Sequence, residues 1–252
     1  MTGGQERRLA ILGRLLGQGG GFTTARLCQV CADVTGVTGA GIMLMAGDVP
    51  RGSVCTTDTV SAVMEQLQYD LGEGPCVDAY HQDHPVLEPD LAEPDAPRWL
   101  AFTGPAVDAG ARAVFGFPLQ VGAVRLGALN LYNDRPGNLS DDQYIDALVM
   151  ADVAAQALLL LQAHAPPDTV AVELESNANF QYVVHQASGM VAAQIDITVS
   201  QALIRLRAYA FGNGRPLTDV ARDVVARRLR FDADSGEDDS GEDDSGEDDQ
   251  TR

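Results

Sequence analysis

Apolar residues recur at helical spacing over 6–18, where Leu9, Leu12, Leu15 and Leu16 share one face, and the run stops at Gly19-Gly20-Gly21. A second helical pattern covers 23–35. The period then changes: Gly39-Ala40-Gly41-Ile42-Met43-Leu44-Met45 reads as a buried strand ending in a Gly47-Asp48 turn, with 53–56 as its hairpin partner. Helical spacing returns over 61–71. Gly72-Glu73-Gly74-Pro75 is a turn, and Pro75 suits the first position of a short helix over 76–80. The stretch 81–97 is rich in Pro and Asp and reads as loop with a short strand at 85–87, and 98–109 reads as helix. The clearest strands are 113–119 and 125–132, joined by a turn at Gly122. Ser140-Asp141-Asp142-Gln143 is a capping box that opens a long helix to about His164.

Ala165-Pro166-Pro167-Asp168 breaks the pattern, because two prolines cannot continue a helix. Three helices fit beyond it. The first, over 177–194, puts Phe180, Val184, Ala187, Val191 and Ile195 on one face. Thr198-Val199-Ser200-Gln201 is a second capping box, and its helix is expected to bury Val199, Ala202, Leu203, Leu206 and Ala210 before ending at Gly212-Asn213-Gly214. Thr218 is expected to cap a third helix with the apolar face Val220, Ala221 and Val224. Each stripe can bury itself only against the other two. The pattern predicts an α+β domain built on a mostly antiparallel sheet flanked by helices, followed by an all-α three-helix module. The expected divisions are an N-terminal helix and glycine linker (1–21), the α+β domain (22–165), a linker (166–174), the helical module (175–231) and a tail (232–252).

Charge divides along the same boundaries. The whole chain is net −19. Residues 180–231 nevertheless carry seven arginines against three acids, Asp196, Asp219 and Asp223, and are net +4. Residues 1–175 are net −13 and the tail is net −10. A basic module inside an acidic chain is where a polyanion would bind. Arg205 and Arg207 flank the buried face of the second helix of the module. Arg222 and Arg230 point away from the core of the third helix, Arg227 lies near its rim, and Arg215 sits in the connecting turn. All 17 basic residues are arginine. The absence of lysine excludes a Walker A loop and a pyridoxal-phosphate Schiff base, while arginine still binds phosphate through its planar fork. The tail repeats Ser-Gly-Glu-Asp-Asp three times from Ser235 to Asp249. With no apolar residue it is expected to be disordered, either as a solubilising segment or as an autoinhibitory mimic of the polyanion that the basic module would bind.

Candidate chemistry is sparse. Cys28-Gln29-Val30-Cys31 has the C-x-x-C spacing, and His81 and His84 follow Cys76. A second close pair is missing, so no metal site is expected, and helical spacing makes Cys28 and Cys31 small buried residues. A redox-sensing role for Cys28, Cys31 or Cys76 remains a third reading. No paired carboxylates, Ser/His/Asp set or phosphate loop is present, so neither enzymatic activity nor a cofactor is expected. Glu73 and Asp78 read as turn and helix-start residues. The N-terminus is polar, and the apolar run 147–163 is interrupted by Asp152 and Gln156. No signal peptide or membrane span is expected, and the location is expected to be cytoplasmic.

The run Gln68-Tyr69-Asp70-Leu71-Gly72-Glu73-Gly74-Pro75-Cys76-Val77-Asp78-Ala79 resembles a GAF domain of the type common in actinobacterial regulators. So do Pro89-Asp90-Leu91, Arg98-Trp99, Phe117-Pro118-Leu119 and Leu126-Gly127-Ala128-Leu129-Asn130-Leu131, in this order over 22–161. The resemblance implies a helix-covered sheet with a cavity on one face that holds a small ligand in some members. Cys76, Trp99, Phe102, Phe115 and Phe117 are the pocket-wall candidates, since ligand cavities are mostly apolar.

The helical module resembles the ANTAR domain of bacterial transcription antiterminators through Gln186-Ala187-Ser188-Gly189-Met190, the run Ala202 to Ala210, and Arg215-Pro216-Leu217-Thr218-Asp219-Val220-Ala221. That resemblance implies dimerisation near the junction helices and binding of paired RNA hairpins to favour the antiterminated transcript. The candidate contacts are Arg205, Arg207, Arg215, Arg222, Arg227, Arg230, Ser188 and Gly189. Ser188 stands where the family has lysine, and a neutral hydroxyl bonds phosphate about half as strongly as a charged donor. Gly189 inside a helix costs about 1 kcal/mol relative to alanine and is expected to mark close approach of another backbone. Tyr182, Tyr209 and Phe211 are aromatic candidates for base stacking, with Tyr209 on the core side. The alternative to RNA binding is a protein-interaction adaptor that uses Ile204, Ala208 and Phe211 as an apolar stripe.

Overall fold

The computed structural model describes residues 3–16, 23–47, 49–164 and 169–232. The expected glycine linker, the prolines of the second linker and the acidic repeats lie outside the described residues. Nine helices and five strands follow in the order α1 (Gly3–Leu16), α2 (Thr24–Thr35), β1 (Gly39–Ala46), β2 (Val49–Thr56), α3 (Thr59–Leu71), α4 (Pro75–Gln82), β3 (Val86–Glu88), α5 (Thr103–Asp108), β4 (Ala113–Val121), β5 (Val124–Asn133), α6 (Asp141–His164), α7 (Thr169–Ile195), α8 (Val199–Gly212) and α9 (Leu217–Val225) among those residues.

The strands form one sheet in the order β2-β1-β5-β4-β3, with every neighbouring pair antiparallel. Helices α1, α2 and α6 cover one face, where Leu27, Cys31, Phe115, Phe117, Leu129, Met150 and Ala154 are buried together. Helices α3, α4 and α5 cover the other, burying Met64, Tyr69, Cys76, Phe102, Val114 and Ala128. Capping residues set the helix starts. Ser140 and Gln143 exchange the expected bonds at the start of α6, and the Gln143 amide also donates to Thr35 O at 2.9 Å, tying α6 to the end of α2. Asp58 and Ser61 form the same device at α3, which ends on Gly72 in the left-handed region. α1 is held on α6 by Arg7, which pairs with Asp142 and Asp146, and by Arg8, which pairs with Asp152. Among the described residues, Asp141–Leu161 of α6 is long and apolar enough to cross a bilayer; one face, with Ala147, Met150, Ala154 and Leu158, is buried in the sheet-side core, while Ile145, Leu148 and Leu160 are exposed.

Three helices pack together after α6: Val184, Ala187 and Val191 of α7 meet Ala202, Leu203, Leu206 and Ala210 of α8 and Leu217, Val220 and Val224 of α9. The Thr198–Gln201 capping box opens α8.

Several expectations need correction. β2 begins at Val49 rather than 53. The helix expected over 98–109 shrinks to α5, because Trp99 sits at φ 53°, where no helix can continue. Its indole Nε1 donates to Asp78 Oδ2 at 2.9 Å, and the Arg98 guanidinium stacks over its ring at 4.7 Å. Asp78 is therefore an anchor for Trp99. Glu73 likewise accepts from Ala101 N and Phe102 N at 2.7 and 2.9 Å. α7 begins at Thr169, inside the expected linker. Pro216, not Thr218, precedes α9, and Thr218 is buried. α9 ends at Val225, so Arg227 and Arg230 lie beyond it. Val199 is exposed rather than buried.

Cys28 does not act with Cys31. It is joined by a disulfide to Cys55, bridging α2 to β2, while Cys31 and Cys76 are free and buried. α2 lies across β2, and helical spacing alone does not reveal that partner.

Candidate functional site

β4 is buried along nearly its whole length, so its two faces do not differ in hydrophobicity. They differ in what they touch. Phe115 and Phe117 face the α2 and α6 side, whereas Cys76, Trp99 and Phe102 pack on the α3, α4 and α5 side. The five pocket-wall candidates therefore belong to two cores and cannot line one cavity.

A small cavity lies between α3, α4 and the sheet, with Ser61, Met64, Glu65, Pro75, Asn130 and Tyr132 in its lining. Its polar residues belong to a buried cluster. Asn130 Nδ2 donates to Glu65 Oε1 at 2.6 Å, and Cys76 N donates to Gln68 Oε1 at 2.7 Å. Glu65 Oε2, Asn130 Oδ1 and Gln68 Nε2 are buried without a partner among the described residues. Burial pushes the Glu65 carboxyl up to about 8, against the opposing effect of the Asn130 bond. Burial, and then the nearby Glu65, raises the Cys76 thiol, which is therefore not a reactive thiolate. Gly41 makes room: a Cβ there would collide with Glu65 Oε1. Of the five pocket candidates only Cys76 touches this cluster.

Sequence reasoning passed over Glu65, Gln68 and Asn130. The available signal was spacing: Ser61, Glu65 and Gln68 recur at i, i+4 and i+7 on the buried stripe of α3, polar residues where an amphipathic helix places apolar ones.

The arginines of the helical module divide sharply. Arg205, Arg227 and Arg230 are exposed. Arg215 pairs with Asp223 at 2.6 Å, Arg222 with Asp219 at 2.7 Å, and Asp223 also takes Arg228 at 2.7 Å. Hydrogen bonds from Arg215 and then Arg228 hold the Asp223 carboxyl below its ordinary value. Arg207 is half-buried and turned toward α3. Its Nη2 donates to Tyr69 O at 2.5 Å, and its Nη1 lies against Gly72, where a Cβ would collide with it. It thus closes the carboxyl end of α3, where a helix dipole favours positive charge.

Ser188 fails as a surface contact, and exposed Gly189 fails only as a mark of close approach. Ser188 is buried, and its Oγ donates to Val184 O at 2.8 Å within its own helix. Gly189 faces open space, with nothing near a Cβ placed there, so it marks no close approach. Tyr209 is partly buried against Phe231 at a ring separation of 5.5 Å, whereas Tyr182 and Phe211 are exposed.

Among solved structures, the chain is similar to the GAF domain of an Acinetobacter phosphoenolpyruvate-protein phosphotransferase, at 11% identity and TM-score 0.46 over 65% of this chain and 97% of that one. It is also similar to a free methionine-R-sulfoxide reductase from Neisseria meningitidis, at 12% identity and TM-score 0.45 over 64% and 89% of the two chains. A third likeness is to the chromophore-binding domain of a bacteriophytochrome from R. palustris, at 12% identity and TM-score 0.46 over 64% and 62%. Among curated proteins none matches the chain. The family model for the GAF domain matches residues 23–159, the span that holds the whole sheet and the Glu65 cavity, and the chain therefore belongs to the GAF domain family.

Proposed function

We propose that this protein is a signal-responsive RNA-binding regulator that promotes transcription antitermination. Its GAF domain senses a small ligand, and its three-helix, ANTAR-like module binds RNA hairpins as a cytoplasmic homodimer. It acts by binding and not by catalysis. The observation that carries the reading is that the two modules share α3: Ser61, Met64 and Glu65 line the cavity, and the carboxyl end of the same helix receives Arg207 from α8. A change at the cavity that shifts α3 acts directly on the helix that bears the exposed Arg205.

RNA binding is supported by the exposed Arg205, Arg227 and Arg230, with Tyr182 and Phe211 exposed for stacking on unpaired bases. The test is RNA captured by residues 1–231 and by the full chain, followed by a salt titration. Hairpins recovered with steeply salt-dependent affinity are expected. The adaptor reading also has an observation in its favour: Ile204 and Phe211, seven residues apart on α8, are 62% and 67% exposed, which leaves an apolar stripe on the helix. Failure of both forms of the protein to bind any RNA would sink the first reading and leave the second.

A further inference from the structure

The cluster beneath α3 holds more acceptors than the fold satisfies. Glu65 is 2% exposed and Asn130 5%, and both line the same cavity. One oxygen of each, Glu65 Oε2 and Asn130 Oδ1, has no donor among the described residues. A buried acceptor left unanswered is costly, and Glu65 escapes the greater cost of an unpaired buried carboxylate by holding its proton. Among the described residues no ion pair reaches Glu65, whose surroundings act through burial and the single Asn130 bond. The group that answers such a site carries N–H donors and positive charge. An anion, or a ligand offering only acceptors, would answer the unpartnered Gln68 Nε2 but leave both oxygens unanswered. The cavity has room for about one water-sized group, which suits an ammonium group and not a quaternary amine.

We propose that Glu65 and Asn130 form a binding site for a protonated amine, an ammonium ion or the amino end of a small metabolite, with Glu65 Oε2 and Asn130 Oδ1 accepting its N–H bonds. The proposal rests on the sensor reading of the GAF domain and names the chemistry of what is sensed. The Glu65 carboxyl is protonated at neutral pH, so its proton leaves to bulk water as the cation enters, and the charge of the cluster is unchanged. The titratable groups that face it are Cys76 from α4, raised far from neutrality, and Tyr132 from β5, which donates to Asp58 at 2.9 Å. β1 offers only Gly41 and Met43, and β4 only Val114. Glu65 is thus the group that titrates near neutral pH.

Thermal unfolding of the full chain is followed in ammonium, methylammonium, tetramethylammonium and sodium chloride at equal ionic strength. The expected result is a saturable rise in Tm with ammonium, reproduced by methylammonium and absent with the other two salts. The apparent affinity for ammonium should rise roughly tenfold per pH unit below the Glu65 value, because one proton is released for each cation bound. E65Q, whose neutral amide keeps the shape of the side chain, should respond to none of the four. Equal responses to all salts, or an ammonium response retained by E65Q, overturn the proposal. The salt series on the natural chain decides the question even if the variant does not fold. A protein that ignores ammonium yet binds RNA hairpins refutes the ligand and leaves the regulator standing; one that responds to ammonium but captures no RNA does the reverse.

Discussion

Glu65 keeps an acid in a place that disfavours its charge, and this has a consequence for stability. Its folded value of about 8 lies above its ordinary value of 4.5. Between those values the folded protein holds one proton more than the unfolded chain, so its stability is greatest below 4.5 and is lost as pH rises through about 8. The slope in that window is about 1.4 kcal/mol per pH unit. E65Q should remove it, as read by urea unfolding at several pH values; parallel slopes in the two proteins would refute the assignment. Ser188 makes a second residue-scale prediction. It stands where the resembled family has lysine, but its side chain is buried and bonded to its own helix. Ser188→Lys should therefore destabilise the protein by several kcal/mol, because it buries an unpaired ammonium, and should not raise RNA affinity. A variant as stable as the natural protein with tighter RNA binding would show that position 188 reaches solvent.

At the scale of elements, α8 has three faces with different tasks. Leu203, Leu206 and Ala210 pack in the module, Arg207 docks on α3, and Arg205 and Ile204 face solvent. Removing a phosphate contact lowers the salt slope of RNA affinity by roughly 0.7 to 0.9 per arginine. R205A and R230A should each show that loss. R207A should not, and should instead speed amide exchange at the carboxyl end of α3, where it closes the helix. Equal salt slopes for R205A and R207A would contradict the division. The disulfide works at this scale too, since it ties α2 to β2 across a separation of 27 residues. Replacing Cys28 and Cys55 together by serine should cost about 3 kcal/mol of stability. An unchanged denaturation midpoint under oxidising conditions would mean that the cross-link does not form in the protein.

Across the whole molecule, charge is separated: a module of net +4 lies between a domain of net −13 and a tail of net −10. On the proposed RNA-binding reading, a polyanionic tail joined to an arginine-bearing module would compete with RNA for the same side chains. Truncation after Phe231 should raise RNA affinity at low salt, and the difference should shrink as salt screens both interactions. Equal affinity of the two forms at low salt would leave the tail without a part in RNA binding. The junction between the modules is itself polar. Burial, with Arg51 and Arg207 nearby, lowers the value of His185, which keeps this ring neutral beside two guanidinium groups.

Local rules were enough for most of the architecture. The capping boxes at Ser140 and Thr198, the apolar runs of β4 and β5 and the three stripes of the helical module follow from short-range periodicity, which any chain segment displays by itself. The basic character of the helical module was equally legible, because net charge needs no coordinates. What folding alone decided were relations between segments far apart in the chain. In a strand buried on both faces no alternation marks the side a residue takes, so Phe115 and Phe117 were grouped with Cys76 until the sheet separated them. The pairing of Cys28 with Cys55, the meeting of Glu65 with Asn130 and the docking of Arg207 on Tyr69 join residues 27, 65 and 138 positions apart. The pattern of apolar positions determined most of the elements and the buried stripe of the amphipathic helices. Only packing decided which polar groups were enclosed with them, because a buried polar group is specified by the neighbour that faces it and not by its own place in the chain.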